Sequence, residues 1–551
     1  MFKSVLENIV TKLKNNRRLV LLFCGIFLVG IFLRTYHFRQ WLYFYPDQAR
    51  DLMLTQDVLA GKAAWPLLGP IAASTPFKLG PIYYYFQIIS AKIFGAAPQT
   101  VAYPDVLFGI LTLPLLYFFL KRYFDSKIAL LMMGLYSISF YVIRYSRFAW
   151  NSNPIPFFVL LFLLGLTEFL TAKEKTAWGW IVVIGIALGV GVQLHTVLLV
   201  LLPMLMLLTF GFLVKKNQHV LLKFFAIFLI AFALNAPQLI SESRTHFQNS
   251  RYFFQVFSGR SPQQGSGLLE NFALNVICQS QANAVFLSSL NGVDSCTVFS
   301  ELRPSTYSEG TITDYVISMF SIVFGFCFSA AGYVLLVYYF KKEKNERKKI
   351  FLGTLLIYSV LTFLVILPVA SHNSQVRYWQ PTLFLPFLFL GLLLHFCSKR
   401  FSKKCNWFLA PVVVFLVVAN FWTIALQVKK YEAQLQNTPQ YVVLGELENM
   451  RDYIAAQEHG AKVAFLVGED KRMLNGPDKY VQNYYKPLAY VLWQRNINLL
   501  KNQKDLDNLP ADAIFFHVGQ KGEDQQLTDI NGFTISQGKS FGNIDVYSLK
   551  K

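Results

Sequence analysis

YPDQARDLMLTQDVLAGKAAWPLLGPIAASTPFKLGPIYYY, residues 45–85, follows the first long apolar run of the chain and carries Asp47, Asp51, Asp57, Arg50 and Lys78. The loop stands out because charge is scarce elsewhere: 54% of the 551 residues are hydrophobic, only 15% are charged, and mean hydropathy is +0.39. That balance excludes a soluble globular protein and places the chain among polytopic membrane proteins. Its apolar runs have the length of bilayer spans, since a helix rising ~1.5 Å per residue needs roughly 20 residues to cross ~30 Å of hydrocarbon. The first run, residues 19–33, follows Lys12, Lys14, Arg17 and Arg18. The bulky aromatic stretch from Arg34 to Tyr45 offers no small-residue cleavage site, so an uncleaved span with its N-terminus inside is expected.

The net charge of +20 does not indicate a nucleic-acid partner, because Lys and Arg cluster in short patches between apolar runs, as cytoplasmic loops do. The stretch GPIYYYFQIISAKIF, residues 80–94, decides the orientation. If it crosses the bilayer, every later basic patch falls outside. If it lies in the interface, Lys121 and Arg122, Lys173 and Lys175, Lys215 and Lys216, Lys341–Lys349 and Lys399–Lys404 all fall inside. The interfacial assignment satisfies the whole chain. Spans then read as roughly 18–34, 104–120, 128–143, 155–171, 178–193, 196–214, 221–240, 315–340, 350–370, 381–398 and 407–427, about eleven crossings.

The expected fold is therefore a polytopic all-α membrane domain, residues 1–430, with outer loops 35–103 and 241–314, followed by an extracytoplasmic α/β domain, 431–551. In the latter, 461–468 and 512–519 read as buried strands, 441–458 and 478–494 as helices, and the C-terminal stretch as a hairpin. No glycine-rich phosphate loop joins strand to helix, so no nucleotide is assigned. Cys24, Cys327 and Cys397 lie in apolar runs and Cys405 in a basic loop; Cys278 and Cys296 share a polar loop, where a disulfide requires an extracytoplasmic location.

Ionisable groups at membrane depth mark functional sites by default. Under this topology Asp47, Lys78, Arg144 and Arg147 of IRYSRFAWNSNPIPFF (143–158), and His372 and Arg377 of SHNSQVRYWQP (371–381), gather at one mouth of an apolar bundle. A sugar on a polyprenyl phosphate keeps its tail in the bilayer and its phosphate at the interface. Transfer needs a carboxylate to take the acceptor's proton and cations to stabilise the leaving phosphate. Asp47 is the candidate base, and Lys78, Arg147 and Arg377 are the candidate phosphate ligands. Displacement from the opposite face inverts the anomeric carbon.

The order of a first span, PDQARD, KLGPIYYYFQIISAKIFG, a SRFAWN stretch and a late RYWQP resembles the GT-C membrane glycosyltransferases, within them the protein O-mannosyltransferase and lipid A aminoarabinose transferase group. The resemblance spans residues 15–400. It implies a lipid-phosphate sugar donor, an extracytoplasmic site in a cytoplasmic membrane, catalytic Asp47 and donor-binding Lys78. Gln48, Trp150, Asn151, Asn153 and Tyr84 are candidate sugar or acceptor contacts; the acceptor is a lipid, a glycan or a protein. Two departures stand out: Gln48 replaces the Glu that commonly follows Asp in protein mannosyltransferases, and Asn151 and Asn153 stand where relatives carry an acid. No cofactor is firmly implied. A divalent metal is possible but unsupported, since Phe77 replaces an acidic neighbour of the lysine and no metal-ligand cluster appears.

Each residue also has a plainer reading. Asp47 could cap a helix starting near Gln48, Asp51 could pair with Arg50 or with an outer arginine, and Asp57 could face solvent. Lys78 could snorkel, Arg144 and Arg147 could anchor headgroups, His195 could be a satisfied histidine, and Tyr83–Tyr85 could belong to an aromatic belt. The rival function, a lipid-linked glycan flippase or transporter, calls for polar groups near the midplane and broken helices in two repeated halves. The third, a membrane anchor for the C-terminal domain, needs neither so many spans nor the acidic loop.

Overall fold

The computed structural model describes residues 17–72, 75–172, 174–214, 220–257, 268–290, 296, 312–369, 375–401, 404–433, 435, 441–458, 460–467, 479–501, 509–521, 529–530 and 532–550. Its first span is α1 (Arg17–Thr35); α2 (Pro46–Leu59) and α3 (Ile82–Phe94) belong to the charged loop and lead to α4 (Pro98–Leu120). There follow α5 (Ser126–Ile138), the short α6 (Phe140–Arg144), α7 (Ile155–Thr171), α8 (Glu174–Leu194), α9 (Thr196–Val214) and α10 (Val220–Leu234). The connection α11 (Ala236–Arg244), α12 (Gln248–Phe257) and α13 (Leu268–Ser288) leads to α14 (Ile312–Lys342) and α15 (Glu346–Ile366). A 3-10 stretch (Val376–Thr382), α16 (Leu385–Phe401) and α17 (Lys404–Glu432) close the bundle.

Among the described residues seven helices are long and apolar enough to cross a membrane, and two bent pairs pass the same test jointly. The eleven crossings read from the sequence require both pairs and the two shorter apolar helices, α5 and α7, to cross as well. With 13 residues, α3 is about 20 Å long, too short to span the hydrocarbon.

Residues 221–240, read as one span, form two helices bent by 68°. Pro237 enters α11 at its first turn, where its missing N–H costs no bond. The Asn235 amide spans the break, donating to Ala231 O at 2.8 Å and to Gly189 O of α8 at 3.0 Å. Close approach of α10 to α8 depends on Gly189, where a Cβ would lie 2.9 Å from the Ala231 Cα.

A second difference lies within 241–314. Helix α13 buries Asn271, Asn275, Gln279 and Asn283, one at every fourth position and hence on one face. Their amide nitrogens bond across the bundle: Asn275 to Phe363 O at 3.1 Å, Gln279 to Tyr333 Oη at 2.7 Å and Asn283 to Ser329 Oγ at 2.8 Å. These amides lower the local hydropathy, so the segment reads as a polar loop although amides whose N–H groups are bonded can be buried. A disulfide joins Cys278 of α13 to Cys296, with Cα atoms 5.0 Å apart.

The C-terminal domain contains α18 (Leu444–Ala455), β1 (Val463–Leu466), α19 (Lys479–Trp493), β2 (Asn498–Leu500), β3 (Ile514–Gln520), β4 (Asp529–Ile530), β5 (Phe533–Phe541) and β6 (Ile544–Lys550). The sheet order is β2-β1-β3-β6-β5-β4, with β1 parallel to β2 and β3 and the remaining pairs antiparallel. The β5–β6 hairpin turns at Gly542, whose φ of +64° suits a residue without a Cβ. The domain is stitched to the loop after α1: Phe44 N donates to Val442 O and Leu444 N to Leu42 O, both at 2.9 Å, and Gly445 N to Gln40 O at 3.1 Å. Trp41 stacks on Tyr431 at 4.8 Å, and Phe44 packs against Tyr490 of α19 at 5.5 Å.

Candidate functional site

The site is assembled around the first turn of α2. Pro46 stands at the start of the helix, where a fixed φ is favourable. Gln48 reaches back so that its Oε1 accepts from Tyr45 N at 3.1 Å. Tyr45, not Asp47, is thus the N-cap residue, and the Asp47 side chain is 57% exposed in the first turn. Arg50 lies between two carboxylates, 2.8 Å from Asp47 and 2.8 Å from Asp51. The two acids occupy different surroundings: Asp51 is buried and also accepts from Tyr84 Oη at 3.3 Å. Burial pushes Asp51 up to about 6 against the opposing pull of Arg50. Asp57 is exposed, as its plainer reading requires.

The stretch 148–153 is pinned from several elements at once. Gln48 Nε2 donates to Ala149 O at 2.7 Å, and Asn151 Nδ2 to Leu194 O at the end of α8, also at 2.7 Å. Asn153 Nδ2 closes the turn on Phe148 O at 2.7 Å. Trp150 N donates to Asp105 Oδ1 at 3.4 Å, while Tyr83 Oη donates to Asp105 Oδ2 at 3.0 Å. The Trp150 ring in turn lies beneath Arg377, whose guanidinium carbon is 5.3 Å from the ring centre. The charge of Arg377 acts on Tyr43, Tyr45 and His195, and that of Asp47 on Tyr45. Tyr45, Asp47, Trp150 and Arg377 therefore share one neighbourhood. His195 Nδ1 accepts from Val197 N at 3.2 Å, the satisfied role of a turn histidine.

Asp105 is the residue that sequence reasoning missed. It lies two turns inside α4 and is 1% exposed, bridging α3 and the Trp150 loop. The available signal was a carboxylate just inside the span read as 104–120, which that reading passed over.

Lys78 sits on a small hairpin. Gly69 N donates to Leu79 O at 2.8 Å, Leu79 N to Pro70 O at 3.0 Å and Ala72 N to Phe77 O at 2.9 Å. Asn249 of α12 clamps the Lys78 backbone from the other side, accepting from its N at 2.8 Å and donating to its O at 2.9 Å. The Lys78 side chain is exposed, with no ion pair among the described residues. Gln193 of α8 holds the start of α3, its Oε1 accepting from Ile82 N at 3.1 Å.

Arg147 points elsewhere. Its Nη1 donates to Leu33 O at 2.9 Å and its Nη2 to Tyr36 O at 2.7 Å, which caps the C-terminal end of α1. His372 lies outside the described residues. Among the described residues no three His, Cys, Asp or Glu side chains gather as metal ligands.

Residues 76–240 match the family model described as dolichyl-phosphate-mannose-protein mannosyltransferase. An uncharacterized protein of Aquifex aeolicus (strain VF5) is 30% identical over 149 residues, 27% of this chain and 28% of that protein, so the match spans little more than a quarter of this relative. Among solved structures, ArnT from Cupriavidus metallidurans in the apo state superposes with a TM-score of 0.54 at 13% identity, over 96% of this chain and 97% of that one. The same protein bound to undecaprenyl phosphate gives 0.54 at 14% identity, over the same shares. The apo oligosaccharyltransferase of Archaeoglobus fulgidus gives 0.50 at 13% identity, over 91% of this chain and 69% of that one. At such identities the likeness is one of fold, and the fold is GT-C.

Proposed function

We propose that this GT-C chain is an inverting glycosyltransferase moving a sugar from a polyprenyl-phosphate donor to an extracytoplasmic acceptor, be it lipid, glycan or protein. The observation that carries the reading is the exposed Asp47 carboxylate in the first turn of α2, free of capping duty, whose charge and that of Arg377 both act on Tyr45. The donor class is supported by the phosphate-linked sugar in the description of the matching family and by the undecaprenyl phosphate bound to ArnT.

In the proposed step Asp47 takes the acceptor's proton while the acceptor oxygen bonds to the anomeric carbon. The bond from that carbon to the phosphate oxygen breaks on the opposite face, and its electron pair leaves with the polyprenyl phosphate. Lys78 and Arg377 stabilise that phosphate, the first as a point charge and the second as a planar fork. Trp150 holds Arg377 over its ring and offers a face for the sugar. Gln48, Asn153 and Tyr84 act by fixing α2 and the Trp150 loop, to which their hydrogen bonds run, and Asn151 by tying that loop to the end of α8. Arg147 is left out of the donor set because its fork is taken up by α1.

The proposed side of action is the exterior. The Cys278–Cys296 disulfide favours an oxidising compartment for this end of the bundle, since the end of α13 meets α6 there, Tyr141 N donating to Ser289 Oγ at 3.2 Å. The test is transfer or hydrolysis of a labelled polyprenyl-phosphate sugar by the purified full chain. Asp47→Asn should lower turnover by about 100-fold or more; unchanged turnover would reject the mechanism.

A further inference from the structure

The proposed chemistry leaves one buried acid without a part. Asp105 is buried near the start of α4, and among the described residues no Lys, Arg or His forms an ion pair with it. A carboxyl group in such a place costs more to bury than an amide or an apolar side chain of the same size, and an acid kept at membrane depth marks function by default. Its surroundings show which function. Each oxygen faces a different element: Tyr83 Oη of α3 donates to Oδ2 at 3.0 Å, and Trp150 N, in the loop after α6, donates to Oδ1 at 3.4 Å. An asparagine could accept from one of these donors but not from both, since only one of its two terminal atoms is an acceptor.

The two donors lead to opposite halves of the proposed site. Tyr83 precedes Tyr84, whose hydroxyl reaches Asp51 at 3.3 Å, and Asp51 and Asp47 share Arg50. Helix α3 is therefore fixed to the helix that carries the candidate base. Trp150 leads the other way, to Arg377, whose guanidinium carbon stands 5.3 Å from the centre of its ring. Asn151 and Asn153 hold the loop through the carbonyls of Leu194 and Phe148, whereas Asp105 takes the amide of Trp150 itself. A shift of that amide carries the ring with it, and so moves the surface on which Arg377 rests.

We propose that Asp105 is a positioning residue for the transfer: with Tyr83 as its fixed point, it sets the Trp150 backbone and, through the ring, places Arg377 at the leaving phosphate. Being buried, it touches neither sugar nor phosphate. The inference rests on the transfer reading above and gives Asp105 the link between the helix of the base and the cation that stabilises the leaving group.

The test is a double-mutant cycle on the purified full chain. Turnover of a labelled polyprenyl-phosphate sugar, by hydrolysis or transfer, is read at saturating donor and scaled to the folded fraction. Asp105→Asn keeps the shape of the side chain but loses one acceptor oxygen, and should lower turnover about tenfold. In a Trp150→Ala background, where no ring remains to carry the effect to Arg377, the same change should lower it less than about twofold. A merely structural acid behaves otherwise: its replacement changes the melting temperature and the folded fraction, and any loss of turnover multiplies with that of Trp150→Ala. Undiminished turnover in folded Asp105→Asn, or fully multiplied losses, overturns the proposal. Where Asp105→Asn does not fold, Tyr83→Phe, which removes a single hydroxyl, takes its place in the cycle with the same two outcomes. Absence of turnover in the unaltered chain rejects the transfer reading, and this inference with it; failure of the inference alone leaves the unaltered chain active.

Discussion

Gln48 shows how one atom decides between two acceptable side chains. Its Oε1 accepts from Tyr45 N, which a glutamate could do equally well, but its Nε2 donates to Ala149 O at 2.7 Å, which a carboxylate cannot. Gln48→Glu should therefore leave the Ala149 carbonyl facing an oxygen and cost about 1–3 kcal/mol; a melting temperature equal to that of the unaltered chain would show that this bond is dispensable. Sequence reading noticed the Gln at a position of family Glu but not its reason, because the partner is 101 residues away. Of the two partners open to it in the sequence, Arg50 or an outer arginine, Asp51 takes Arg50 in the structure. Its folded value of about 6 lies above its ordinary 3.8. The protonated form is therefore favoured in the folded state, so the associated stability is complete below about pH 4 and declines by up to about 3 kcal/mol as pH rises through 6. Melting curves of the unaltered chain between pH 4 and 7 should show this decline, and Asp51→Asn should flatten it.

Elements were legible in the sequence wherever one physical signal dominated. Span length and basic patches identified α1, α4, α9, α14 and α15, and the 13-residue α3 was separated from them by the later basic patches, all of which its crossing would have placed outside. The signal failed where two effects opposed one another, as in α13, whose buried amides mimic a loop, and at Asn235, where an apolar run continues across a bend. Strands β2 and β4, three and two residues long, are too short to leave a pattern. The Lys78 hairpin is the element on which the donor reading depends most. A Cβ on Gly69 would lie 2.1 Å from Gly80 O, a backbone atom that cannot turn aside. Gly69→Ala should part the two strands and move Lys78, lowering transfer about tenfold or more. Helix content by circular dichroism should stay unchanged; unaltered turnover would separate Lys78 from the chemistry.

At the scale of the whole molecule, the helices at 441–458 and 478–494 and the strands at 461–468 and 512–519 correspond to α18, α19, β1 and β3 to within a few residues, because buried strands and amphipathic helices carry short-range patterns. Asp47 and Arg377 were named from their charge and place in the chain, whereas Asp105 and the separate surroundings of Arg147 depend on distant partners that no local pattern encodes. Nor does local pattern indicate that the final domain touches the charged loop. Yet Phe44, three residues before Asp47, bonds to Val442, and Gln40 and Leu42 bond to Gly445 and Leu444. A ribosome makes the chain in the opposite order of need: the loop with Asp47 emerges first, and its pairing partners about 400 residues later. Gln40, Leu42 and Phe44 therefore gain these backbone partners only after the helices between them have been made, so the loop that carries Asp47 takes its folded shape late.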